Sequence, residues 1–264
     1  MTVPLARVPD QAPDLCEIIT RLPANATSVI LGIDERGEYV QSTLAQLTPL
    51  RLVDVGGEGR DPLAFSLLAQ IFLRNDPDAL RVLMIDPRKR LSRLFHAFPQ
   101  TRLVATSPTA AVHALYTLDQ ELIRRQQSDQ IAPAWLVFVE EDRSLRLDEQ
   151  TWQLFTKLID QGGEVGLCVI VASSVNGCPV LEDEPQPAFR STAAFPLTRE
   201  EAESVGLHSE VLLDLTLDKI FDHELPARFV LLEGRDGHQT GRKVTVPFVD
   251  TRLLFLLASG WGEA

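Results

Sequence analysis

The stretch VDVGGEGRDPLAF, Val53 to Phe65, constrains the fold of this chain more than any other. A strand-like run, LRLVDV, leads into a glycine-rich turn and then an apolar run, LAFSLLAQIFL. That is the strand, loop, helix order of a phosphate-binding P-loop. If Gly56 is the first glycine of G-x-x-x-x-G-K-[ST], the turn holds Gly57 and Gly59. Asp61 then takes the second glycine position, Pro62 the lysine position and Leu63 the hydroxyl position. The lysine would neutralise the β and γ phosphates, the hydroxyl would hold Mg²⁺, and the glycine would let backbone N–H groups close on the anion. Asp61 instead sets a negative charge at the mouth of the cradle. Locally, Asp61-Pro62 is expected to open the helix, with the acid as N-cap and proline at the first helical position. The unit reads as the architecture of a phosphate loop without its chemistry.

From Leu50 onward strands and helices alternate: RLVDV, the helix from Pro62, RVLMID, LSRLFHAF, TRLVAT, a long helix opened by Ser107-Pro108, WLVFVEE, TWQLFTKLI and VGLCVIVAS. The strands are apolar nearly throughout, so the expected fold is α/β, a central mainly parallel sheet with helices on both faces. Upstream, SVILGIDERGEYVQSTL reads as two strands around the turn Asp34 to Gly37. Downstream, Thr198 and Glu201 form a capping box, and ARFVLLEG with RKVTVPFV form a strand pair. A length of 264 residues with 45% hydrophobic content suits one large domain. The expected division is an N-terminal arm over 1–27 carrying the amphipathic LCEIITRL, the domain over 28–250, and an apolar tail over 251–264.

Charge narrows the function. With 25 Lys+Arg against 37 Asp+Glu the net charge is −12, which disfavours a broad positive field for nucleic acid on the isolated chain. Cys16, Cys168 and Cys178 have no metal-ligand spacing and are expected to be free, mostly buried thiols in a reducing cytoplasm. No apolar run approaches the roughly 20 residues of a membrane span, and no signal peptide opens the sequence. The five histidines, His96 and His113 among them, show no paired ligand spacing, so no metal site is expected.

WLVFVEED is an apolar strand ending in Glu140-Glu141, the form of a Walker B strand whose first acid orients Mg²⁺ and whose second activates water. Charges also commonly end buried strands in proteins with no such chemistry. VGLCVIVASSVNG ends in small polar residues, where Ser173 and Ser174 are expected to be turn residues. Arg88, Lys89, Arg90 and Arg93 form the densest basic patch, suited to an acidic or phosphate contact or to a solvated helix start. Ser107 is an N-cap, since no nucleophile elbow surrounds it.

Taken in order, LGIDERG, the gapless loop and helix, NDPDALRVLMIDPR, LFHAFPQTRLVATSPTAA, WLVFVEED, LIDQGGEVG, VIVASS, ARFVLLEG and KVTVPFV make the chain resemble the motor domain of the FtsK/SpoIIIE family of DNA translocases. That family also includes type VII secretion ATPases. The resemblance covers Val29 to Asp250. It implies a RecA-like P-loop core, often assembled as a hexameric ring around DNA or a secretion path. The chain departs from the family at the hydrolytic residues: Pro62 and Leu63 replace lysine and Ser/Thr, Glu140 replaces the first Walker B aspartate, and Ser174-Val175 stand where Gln-Arg is usual. Glu141 is retained at the position of the catalytic carboxylate. The family's membrane anchor and winged-helix module are not expected here.

These features together predict a pseudo-ATPase: a cytoplasmic, catalytically inactive FtsK-like protein with no cofactor. It would act as a scaffold or interaction subunit of a DNA-translocation, secretion or defence machine, with a protein partner or further copies of itself. The acidic Glu182-Asp183-Glu184 and the apolar Leu253 to Leu257 are candidate contact regions. Two alternatives stand beside it. One is a nucleotide-dependent motor subunit whose site is completed by a partner, or by Arg60, Arg88 or Lys89. The other is a nucleotide-independent DNA-binding module using the 88–93 patch.

Overall fold

The computed structural model describes residues 12–55, 59–128, 133–140, 149–175, 188–207, 227–234 and 240–249. The strands are β1 (Ser28–Asp34), β2 (Tyr39–Thr43), β3 (Leu50–Asp54), β4 (Leu80–Ile85), β5 (Thr101–Ala105), β6 (Ala134–Glu140), β7 (Leu167–Ser174), β8 (Ser191–Ala194), β9 (Arg228–Glu233) and β10 (Thr240–Thr245). They form one sheet in the order β2-β1-β10-β9-β8-β3-β7-β6-β4-β5. The six strands from β8 to β5 in that order run parallel, and β9, β10, β1 and β2 extend the sheet antiparallel. All five strands expected in a parallel sheet lie in the parallel block, and the two expected strand pairs are both antiparallel. β8 is the addition: four small residues, all buried, whose sequence carries no strand signal.

Alternate side chains of a strand face opposite sides of the sheet, so a parallel block needs cover on both. On one face Leu52, Val82, Met84, Phe138 and Ile170 pack with Leu63, Leu67 and Phe72 of α3 (Arg60–Arg74). Phe72 also stacks on Phe95 at 4.9 Å, which anchors the four-residue α4 (Ser92–Phe95), shorter than the run LSRLFHAF suggested. On the other face Leu83, Val137, Val139 and Val169 pack with Leu118 of α5 (Pro108–Gln126) and Phe155 of α6 (Glu149–Gln161). The capping expectations hold: Ser107 caps α5 with Pro108 in its first turn, and Thr198 and Glu201 form the capping box of α7 (Arg199–Ser204).

The antiparallel wing is tied to α3 by polar contacts inside the core. Gln70, fully buried, accepts the Ile30 N–H at 2.8 Å and donates to the Ile30 carbonyl at 2.9 Å, beside the register shift of β1. Gly32 follows at φ +153, where a Cβ would lie 1.9 Å from the Thr245 carbonyl oxygen; the two strands meet this closely because the residue has no side chain. Arg74 donates to the carbonyls of Pro23 and Ala26, holding the segment after α1 (Leu15–Arg21) against α3. Among the described residues no helix is long and apolar enough to cross a membrane. Of the cysteines, Cys168 is buried and Cys16 exposed; Cys178 lies outside the described residues.

Candidate functional site

In a parallel sheet every strand ends on the same side, so acids that close its strands gather along one edge. Asp54 closes β3, Glu140 closes β6, and Asp86 follows β4. All three are buried. Between Asp54 and Glu140 lies Arg60, the first residue of α3, with its side chain only 1% exposed. Its Nη1 is 3.6 Å from Asp54 Oδ1, its Nη2 is 3.8 Å from Glu140 Oε1, and its Nε is 3.5 Å from Asp61 Oδ1. Arg90, arriving from the turn after β4, pairs with Asp61 Oδ2 and lies 3.6 Å from Glu140 Oε1. Asp86 fixes that turn by accepting the N–H groups of Arg90, Leu91 and Ser92 at 3.2, 3.1 and 2.8 Å. Three carboxyl groups, of Asp54, Asp61 and Glu140, thus stand in ion-pair range of two guanidinium groups, and Asp86 holds the turn that carries Arg90, which makes a closed set.

The guanidinium distances to Glu140 exceed hydrogen-bond length, so its charge is only partly compensated. Burial first, and then the neighbouring Asp86 charge, push the Glu140 carboxyl up to about 7 against the opposing pull of Arg90 and Arg60. Among the described residues no group of three His, Cys, Asp or Glu side chains is placed to hold a metal ion.

Gly59, at the end of the glycine-rich segment, is covered by an aromatic ring. Phe195, just past β8, is buried and lies so close to Gly59 that a Cβ there would meet its ring at 2.3 Å. Gly59 is the N-cap of α3 and makes no side-chain cap, so the helix begins at Arg60. This corrects the expectation that Asp61 caps and Pro62 leads: Asp61 sits inside the first turn, its carboxylate drawn to Arg60 and Arg90 rather than back to the helix backbone. It still faces the positive end of the helix dipole. Leu63, at the hydroxyl position, is fully buried in the core beneath the loop.

The structure therefore brings together Gly59, Asp61, Glu140 and Arg90, with Pro62 and Leu63 following on in α3, while Gly56, Gly57 and Glu141 lie outside the described residues. Arg88, Lys89 and Arg93 are exposed and do not enter the closed set. Ser173 and Ser174 belong to β7 rather than to a turn: Ser173 accepts from Arg51 Nε at 3.2 Å, and Ser174 donates to the Val55 carbonyl at 3.0 Å. The contact regions at 182–184 and 253–257 lie outside the described residues. Asp54, Asp86 and Phe195 were not read from sequence as site residues. The acids carried a usable signal, because LRLVD, RVLMID and WLVFVE are apolar strands that each end in an acid.

No family model matches the chain. DNA translocase FtsK of Mycobacterium leprae is 27% identical over 112 residues, 42% of this chain and 13% of that protein. FtsK of Campylobacter jejuni is 31% identical over 99 residues, 37% of this chain and 10% of that protein. In three dimensions the chain superposes on EssC (ATPases 2 and 3) of Geobacillus thermodenitrificans with a TM-score of 0.71 at 12% identity, covering 97% of this chain and 51% of that one. The partial sequence likeness to FtsK and the shared fold together support an FtsK/SpoIIIE-type motor domain. The RecA-like fold recurs in Thermomonospora curvata EccC (ATPases 2 and 3), in complex with a signal sequence peptide, at TM-score 0.70 and 19% identity, covering 95% of this chain and 45% of that one. It recurs again in the pCW3 conjugation coupling protein TcpA with ATPγS, at TM-score 0.68 and 14% identity, covering 98% and 75%. This FtsK-type chain spans only about an eighth or less of the length of these two FtsK relatives.

Proposed function

We propose that this FtsK-type domain is a pseudo-ATPase, a cytoplasmic subunit that works through protein contact, with partners or further copies of itself, inside a larger translocation, secretion or defence machine. The observation that supports the reading is the closed set of Arg60, Arg90, Asp54, Asp61, Asp86 and Glu140. Its own guanidinium groups take the place at the strand ends where a motor would bring phosphate and metal. Mg-ATP does not fit these residues. Leu63 offers no hydroxyl and is buried, Pro62 offers no cation, and Phe195 lies against Gly59. Arg60, the cation nearest the loop, is engaged by three carboxylates instead of being available to a phosphate. Arg88 and Lys89 remain outside the set. The domain keeps the shape of a motor subunit, and shape is sufficient for assembly with other proteins.

Thermal unfolding in the presence of Mg-ATPγS tests this. A ligand that binds the folded state raises Tm by mass action. The wild-type Tm should not move, whereas a variant combining Arg60→Ser, Asp61→Gly, Pro62→Lys and Leu63→Thr should acquire a nucleotide-dependent rise. A rise in the wild-type protein that is lost on changing Glu140 would replace this reading with that of a working motor subunit.

A further inference from the structure

Between Pro87 and Leu118 the sequence carries Arg88, Lys89, Arg90, Arg93 and Arg102 and not one of the 37 acids, in a chain whose net charge is −12. The structure wraps this window around one margin of the sheet: the turn after β4, then α4 on one face, then the edge strand β5, then the first half of α5 on the other face. β5 is the last strand of the sheet, with no described strand beyond it. Arg90 turns inward to Asp61 and Glu140, while Arg88, Lys89, Arg93 and Arg102 are exposed. A second observation falls on the same margin. Of the large apolar side chains exposed among the described residues, Leu103 (37%) lies on β5 and Tyr116 (39%) on α5, and only Phe248 lies elsewhere.

Apolar anchors bordered by like charges have the anatomy of a protein contact surface. We propose that this margin docks an acidic segment of a protein partner, with Lys89, Arg93 and Arg102 meeting its carboxylates and Leu103 and Tyr116 taking an apolar side chain. The register shift opposite Arg102 and the arginine itself are ordinary defences of a sheet edge against strand addition, so the contact is made by side chains and not by a tenth hydrogen-bonded ladder. Charge selects a short peptide over larger polyanions. A DNA duplex or an anionic membrane extends well beyond a Debye length of about 8 Å and would meet the acidic remainder of the surface; a segment confined to the margin would not. None of these five residues belongs to the closed set at the strand ends, so this proposal goes beyond the pseudo-ATPase reading and stands or falls separately from the nucleotide titration.

The test is fluorescence anisotropy on the full chain at physiological salt with three probes of matched length: a glutamate-rich peptide carrying a few phenylalanines, its lysine counterpart, and duplex DNA. Co-sedimentation with anionic vesicles forms a fourth arm. The acidic peptide should bind and the other three should bind more weakly or not at all. Combining Lys89→Asn, Arg93→Gln and Arg102→Gln should weaken the peptide about tenfold. Leu103→Ser with Tyr116→Ser should also weaken it, and Glu200→Gln with Glu203→Gln on exposed α7 should not. Circular dichroism should show each variant folded. The proposal is overturned if the acidic peptide does not bind, if the cation-removing variant binds it as wild type does, or if DNA or vesicles are held at least as tightly.

Discussion

Replacing Glu140 by glutamine should stabilise the protein, by an amount that grows as pH rises from 4.5 to about 7 and is level above that. In the folded state the carboxyl is raised from 4.5 to about 7, chiefly by burial, so the native protein holds this proton more tightly than the unfolded chain does. The contribution is fully present below the unfolded value and is lost as pH rises through the folded one. The displacement corresponds to about 3 kcal/mol, at roughly 1.4 kcal/mol per pH unit. Glutamine keeps the size and polarity of the protonated acid but does not titrate. The two proteins should therefore be close in stability near about pH 4, diverge between about pH 4.5 and about pH 7, and differ by about 1–3 kcal/mol in favour of the variant from neutral pH upward. Urea unfolding followed by circular dichroism across that range reads the difference directly, since titration of all other groups is shared to first order. A difference that stays flat with pH, or a variant less stable than wild type on the alkaline side, would refute the claim that Glu140 is an undercompensated buried acid.

Arg60→Met should cost about 3–5 kcal/mol, because it leaves Asp54, Asp61 and Glu140 without their shared cation; the loss should shrink at acid pH in the same urea assay. Gln70→Ala should cost about 2–3 kcal/mol by stranding the buried N–H and carbonyl of Ile30, and hydrogen exchange should show faster opening at Ile30. Gly59→Ala should cost about 1–3 kcal/mol, because the new methyl displaces the Phe195 ring, and the near-ultraviolet signal should change with it.

Sequence revealed the framework because the parallel strands are apolar on both faces, and that pattern admits few folds. LRLVD, RVLMI and WLVFVE each became a buried parallel strand, and Ser107-Pro108 and Thr198 to Glu201 each became the expected helix start. β8 was not legible because STAA owes its strand conformation to its neighbours β3 and β9 rather than to its own side chains. The site was half legible. Asp61, Pro62 and Leu63 read in sequence as a loop without phosphate chemistry, the reading on which the proposed function rests, and Arg60 reads as a cation available to a phosphate. What sequence spacing could not supply was the convergence of Asp54 and Glu140 on that arginine, which depends on strand order. The helix start moved for the same reason: Asp61 caps well in isolation, yet two arginines compete for its carboxylate.

The central claim is that the domain's own arginines and acids have replaced nucleotide at the strand ends. Isothermal titration of the wild-type chain with Mg-ATP tests it most directly: the account predicts no saturable heat up to about 1 mM nucleotide, whereas saturable binding at about 10 μM that weakens when Glu140 is changed would contradict it.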